Sequence, residues 1–154
     1  MACVMEDALR ALSYRQLTGE ELRQRLLRRG HPEAAVEECL TRLREIGYLD
    51  ERQFARDFVE SRSRVRPVGR RKLVAELESK GIPREVVQEE VDRALPEERE
   101  QELAIKLAMK KAVGCKEPDR GKLCRRVYRF LVQRGFSGEL AVRALAELGL
   151  LQGE

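Results

Sequence analysis

Apolar residues recur four apart along most of the chain, and the stripes break at glycines. Leu22 and Leu26 precede Gly30, Leu73 and Leu77 precede Gly81, and Val127 and Leu131 precede Gly135. After each glycine the stripe resumes, at Val36 and Leu40, at Val87 and Val91, and at Ala141 and Leu145. Spacing of four puts these side chains on one face of a helix. Each segment therefore reads as helix, glycine turn, helix. The glycine suits the left-handed residue just past a helix end. The residue after it, His31, Ile82 or Phe136, is expected to pack back on Leu26, Leu77 or Leu131. Pro32 and Pro83 suit the first turn of the following helix, where a missing N–H costs nothing. Arg29, Lys80 and Arg134 fall in the last turn before the glycine, where a cation favours the helix dipole.

A further helix is expected before each pair, over 6–15, 50–62 and 96–112. Thr18-Gly19-Glu20-Glu21 and Asp50-Glu51-Arg52-Gln53 resemble capping boxes at helix starts. The pattern predicts an all-α protein: an elongated tandem array of three three-helix repeats, about nine helices, with repeats at 1–49, 50–95 and 96–154. Strand signals are nearly absent.

Composition agrees. At 154 residues the chain can bury a real core, and its 38% charged residues and 5% aromatics suit thin apolar stripes with long solvated faces. No run is long and apolar enough to span a membrane. MACVMEDALR is too short and too acidic for a signal peptide. Cys3, Cys39, Cys115 and Cys124 show no C-x-x-C spacing, which argues for a reducing compartment, the cytoplasm, and against a zinc site. Cys39, beside Val36 and Leu40, reads as a small core hydrophobe.

Catalytic signals are missing. The single histidine, His31, holds the cap position that Ile82 and Phe136 hold elsewhere. Phosphate-cradle and dinucleotide glycine patterns are absent. The pairs Glu89-Glu90 and Glu97-Glu98 read as solvated faces. The chain is therefore expected to be a non-enzyme without cofactor or metal.

Charge is what remains. SRSRVRPVGRRK, residues 61–72, holds six basic residues and no acid. A second basic block spans 106–134, with an acidic stretch over 84–102 between them. Arg71 and Lys72 align with Arg125 and Arg126, where the first repeat has Glu20 and Glu21. Clustered cations without acids point to an anionic partner, either nucleic acid or an acidic protein face. The candidate residues are Arg62, Arg64, Arg66, Arg70, Arg71, Lys72, Lys110, Lys111, Lys122, Arg125, Arg126 and Arg129. Only Tyr128 and Phe130 offer rings within the basic block, so backbone or protein contact is expected rather than reading of bases.

In order and spacing these residues resemble the RecX family of bacterial recombination regulators. The likeness runs through Arg15, Thr18, Glu21-Leu22, Leu26, Gly30 and Gly47-Tyr48-Leu49-Asp50. It continues through Phe54-Ala55, Arg62, Gly69, Leu73, Glu76-Leu77 and Lys80-Gly81-Ile82, then Leu131 and Arg134-Gly135-Phe136-Ser137. Pro67-Val68 departs from the basic or aromatic pair expected before the glycine, and should stiffen that loop. The resemblance implies three tandem three-helix repeats in a cytoplasmic monomer that binds the RecA recombinase filament on DNA. It also implies inhibition of the filament's ATPase and strand exchange, in DNA repair and recombination. Single- or double-stranded DNA is a further expected partner, and the alternative is a DNA-binding module of three-helix units, with a second helix in the major groove.

Overall fold

The computed structural model of the chain describes residues 3–151, and among them every regular element is an α-helix. The order is α1 (Val4–Tyr14), α2 (Gly19–Arg28), α3 (Glu33–Glu45), α4 (Glu51–Val65), α5 (Arg70–Ser79), α6 (Arg84–Ala94), α7 (Glu97–Gly114), α8 (Arg120–Gln133) and α9 (Gly138–Glu147). The apolar stripes become cores. Ala8, Leu22, Leu26, Val36, Leu40 and Leu43 close together in the first three helices, with Cys39 buried among them. Ala104, Ala108, Val127, Leu131, Phe136, Ala141 and Leu145 do so in the last three. Leu73, Leu77, Ile82, Val87 and Val91 are likewise buried. The chain divides into two compact units, and the division falls inside α4, α5 and α6. One unit joins α1–α3 to residues up to Phe58 and to Glu76–Glu90; the other joins Val59–Ala75 to the chain from Val91 onward.

The turns form as their sequence dictates. Gly30, Gly81 and Gly135 have φ of +92°, +83° and +91°. The amides of His31, Ile82 and Phe136 donate back to the carbonyls of Leu26, Leu77 and Leu131 at 3.3, 3.5 and 3.1 Å. Gly47 and Gly149, after α3 and α9, make the same turn and were not singled out by the repeat.

Several local expectations change. Thr18 and Asp50 do cap, accepting from the amides of Glu21 and Gln53, both at 3.1 Å. The returning half of the box is diverted: Glu21 pairs with Arg15 at 3.2 Å, and the Gln53 side chain donates to Asp57 at 2.9 Å. Pro32 and Pro83 sit one residue earlier than expected, at the N-cap, their carbonyls accepting from Val36 and Val87. Glu90 is not part of a solvated face. It is 2% exposed and takes Arg56 at 3.0 Å and Arg52 at 3.2 Å, two cations for one buried carboxylate. His31 does more than cap: its Nε2 lies 2.6 Å from Oδ2 of buried Asp7, while Arg29 donates to Oδ1 at 2.8 Å. The hydrogen bond with His31, aided by the Arg29 charge, holds the Asp7 carboxyl below its usual range against the opposing pull of burial.

One joint is built twice. In the first unit the Thr18 hydroxyl, at the start of α2, donates to the Lys80 carbonyl at the end of α5, 2.6 Å away. In the second unit the start of α5 meets the end of α8. There the Gly69 amide donates to the Arg134 carbonyl at 2.6 Å, and the Arg71 amide to the Gly135 carbonyl at 3.2 Å. The glycine turn is tightly covered each time, Gly81 by the Glu20 side chain and Gly135 by Lys72.

The third repeat departs from the other two at its second helix. Helices α2 and α5 begin three residues before their first stripe leucine, Leu22 and Leu73, whereas α8 begins at Arg120, seven before Val127. It therefore carries one extra turn, capped by Asp119, which accepts from the Lys122 amide at 3.1 Å. Arg71 and Lys72 lie in the first turn of α5, but their sequence counterparts Arg125 and Arg126 lie in the second turn of α8.

Candidate functional site

Arg70 and Lys72, two of the candidates for an anionic partner, turn inward. Arg70 is anchored four ways: its amide donates to Glu100 at 2.7 Å, Nη1 donates to the Leu95 carbonyl at 2.8 Å, Nη2 pairs with Asp92, and its side chain is largely covered. Burial raises the Glu100 carboxyl above its usual value, and the Arg70 amide and charge oppose that rise. Lys72 is half-buried over Gly135, with Nζ 3.4 Å from the Gln133 carbonyl. These two basic residues do structural work because α5 starts at the joint: Lys72 reaches the end of α8, while Arg70 reaches the end of α6 and Glu100 on α7.

The other candidates separate by place. Arg62 is half-buried near the end of α4, and Arg64 pairs with Glu60 one turn back at 3.2 Å. Arg71 and Lys122 are exposed. Arg125 and Arg129 flank a shallow apolar groove on α8 and α9, with Tyr128, Val132 and Val142. Arg66, Lys110, Lys111 and Arg126 converge on a hollow of about 720 Å³ in the second unit.

That hollow is walled by the segment after α4, by the C-terminal half of α7 with the loop after it, and by α8. Lys116 and Arg134 complete its ring of cations, and its lining contains neither Asp nor Glu. Val65, Pro67, Leu107 and Phe130 give it an apolar floor. Phe130, only half-buried, holds Lys111 Nζ 5.2 Å and the Arg134 guanidinium 4.8 Å from its ring centre. Arg134 also donates to the Pro67 carbonyl at 3.2 Å, fixing the loop that Pro67-Val68 was expected to stiffen; Val68 itself is buried. Burial lowers Arg134 below the ordinary arginine value, and the like charges of Arg66 and Arg62 add to that. Arg126 donates to Cys115 Sγ at 3.4 Å and pairs with Glu117 at 3.5 Å. Among the described residues, no carboxylate pairs with Arg66, Lys110, Lys111, Lys116 or Arg134.

Sequence reasoning left out Lys116 and Arg134. Lys116 lies in a loop that the helical pattern could not place. Arg134 was assigned to its helix dipole alone, although position 134 follows Phe130 by four and so shares its face.

The arrangement can hold anions. His31 is tied to Asp7, and among the described residues no three His, Cys, Asp or Glu gather as metal ligands. No helix among them is long and apolar enough to cross a membrane.

Comparison with known proteins gives one answer throughout. Models of the first, second and third three-helix domains of RecX match residues 5–43, 50–90 and 97–145. The regulatory protein RecX of Streptomyces coelicolor is 35% identical over 153 residues, spanning 96% of this chain and 81% of that one. The regulatory protein RecX of Chlorobium phaeobacteroides is 38% identical over 129 residues, 84% of this chain and 82% of that one. A crystal structure of RecX from Lactobacillus salivarius shares the fold, with a TM-score of 0.84 at 20% identity over 96% of both chains. A second crystal structure, of a regulatory protein RecX, has a TM-score of 0.78 at 27% identity over 89% of this chain and 67% of that one. Three tandem three-helix domains, matched in order from Met5 to Leu145, place the chain in the RecX family, whose members are named as regulatory proteins rather than enzymes.

Proposed function

We propose that this protein acts in the cytoplasm as a monomeric regulator that binds the RecA recombinase filament on DNA and restrains its ATPase and strand exchange. It would thereby modulate recombination and DNA repair. Membership of the family supports the reading, and one observation in this chain carries it: a ring of six cations with no acid in its lining. Such a surface attracts a polyanion at a distance and repels a second basic surface. The filament on DNA offers phosphates and protein together. The test is RecA ATPase on single-stranded DNA, with and without this protein. Inhibition at amounts well below the recombinase supports regulation of the filament. An unchanged ATPase and unchanged strand exchange across a full titration would sink it.

A further inference from the structure

We propose that the cationic hollow of the second unit seats the phosphodiester backbone of a single nucleic-acid strand. This deepens the reading above by naming what that surface touches, and it rests on that reading only for its biological setting.

The first support is uncompensated charge. Arg66, Lys110, Lys111, Lys116, Arg126 and Arg134 face one hollow, and among the described residues only Arg126 of these pairs with a carboxylate. Like charges gathered against an apolar floor repel one another, and an external anion removes the repulsion. The cost is visible at Arg134, which is held in a partly buried place beside Arg66.

Number and spread of charge favour a strand over a protein side chain. A single carboxylate brings one negative charge to six cations. A strand brings a charge at every nucleotide and can follow the cations around the hollow. Three of them, Arg66, Arg126 and Arg134, carry the forked guanidinium that meets two phosphate oxygens at once, while the lysines serve as point charges. The walls on α7, α8 and residues 65–67 enclose the space, which suits a flexible strand better than the rigid convex face of a duplex. Bases play little part. Lys111 and Arg134 already lie against the Phe130 ring and compete with a base for it, and contact with the backbone makes the site indifferent to sequence.

Cys115 lines the hollow and takes a hydrogen bond from Arg126, which makes it a built-in reporter. The experiment uses the full chain without recombinase. Iodoacetamide labelling of Cys115 is followed by peptide mass spectrometry, with exposed Cys3 as internal control. A thymidine oligonucleotide should slow Cys115 labelling at least about fivefold at low salt and leave Cys3 unchanged. Protection should fade as salt rises, because each phosphate held releases about 0.7 counterion from a single strand. The variant Lys110→Glu/Lys116→Glu, altered only at exposed positions, should keep its helical circular dichroism and lose the protection. Duplex DNA, tripolyphosphate and poly-glutamate at equal charge should protect weakly. Equal protection by tripolyphosphate would assign the hollow to free polyphosphates, and equal protection by poly-glutamate to an acidic protein face; either overturns the proposal. So does the absence of protection by the oligonucleotide at low salt. Because no recombinase is present, this test can fail while inhibition of the filament stands, and the ATPase test can fail while this one succeeds.

Discussion

The Gly69 amide donates to the Arg134 carbonyl at 2.6 Å, joining the start of α5 to the end of α8 without any side chain. The matching joint in the first unit uses the Thr18 hydroxyl instead, on the Lys80 carbonyl. A β-carbon at position 69 would sit 2.5 Å from the Gly135 carbonyl oxygen, against backbone that has no room to yield. Gly69→Ala should therefore destabilise by about 1–3 kcal/mol. Thr18→Val keeps the shape but loses both the cap and the joint, and should cost about 1–2 kcal/mol. Urea unfolding midpoints check both, and a silent Gly69→Ala would refute the joint.

Gly81→Val meets two obstacles at once. Its φ of +83° penalises any β-branched residue, and Glu20 fills the space its β-carbon would enter. The expected loss is more than about 1 kcal/mol. Gly30 separates these causes. It has φ of +92° but open space around it, so Gly30→Ala should cost only the strain and less than Gly81→Ala. Equal losses at the two sites would mean that packing over Gly81 contributes nothing.

Acid sensitivity should trace to Asp7. Its carboxyl titrates lower in the folded chain than in the unfolded one, chiefly through its hydrogen bond with His31. The stability it contributes is thus fully present above the unfolded value of about 3.9 and drains away as pH falls through the lower folded value. Asp7→Asn should flatten the stability profile below about pH 4, seen in unfolding midpoints measured from pH 2 to 6. His31→Ala should lower stability while any inhibition of the recombinase survives. Loss of inhibition in a folded His31→Ala chain would reopen the question of catalysis.

Neighbouring arginines should behave oppositely. Arg70→Glu breaks contacts with Asp92 and the Leu95 carbonyl and faces Glu100, so it should unfold more easily, by about 1–3 kcal/mol. Arg71→Glu, at an exposed side chain, should change stability by less than about 0.5 kcal/mol. If the hollow faces the filament, Arg66→Glu with Lys110→Glu should lower inhibition at least tenfold while the fold persists. Unchanged inhibition would leave that face as solvated surface.

The helices and turns were legible because their causes are local. A glycine at φ near +90° and a leucine four residues earlier are set within one turn of chain, and the repeat shows them three times. The fate of individual charges was not legible. Arg70 and Arg71 are adjacent in sequence and alike in chemistry, and only the approach of Asp92, Leu95 and Glu100 draws one of them inward. Glu90 reads as a surface acid for the same reason, since its partners Arg52 and Arg56 lie far along the chain. The hollow gathers Arg66, Lys116 and Arg134 from three separate segments, so no window of sequence contains it.

The extra turn at the start of α8 changes what that helix can offer to a joint of the kind α2 and α5 make. The joint needs a helix beginning three residues before its stripe, so that a bare N-terminal end meets the next glycine turn. In α8 that place falls at Cys124, inside a helix already one turn under way. A fourth unit arriving there would meet the sides of residues 120–123 instead of free amides. Tandem arrays need a terminal element that halts stacking. Deleting those four residues, rather than adding apolar surface, is the change expected to give α8 the bare N-terminal end that α2 and α5 bring to their joints.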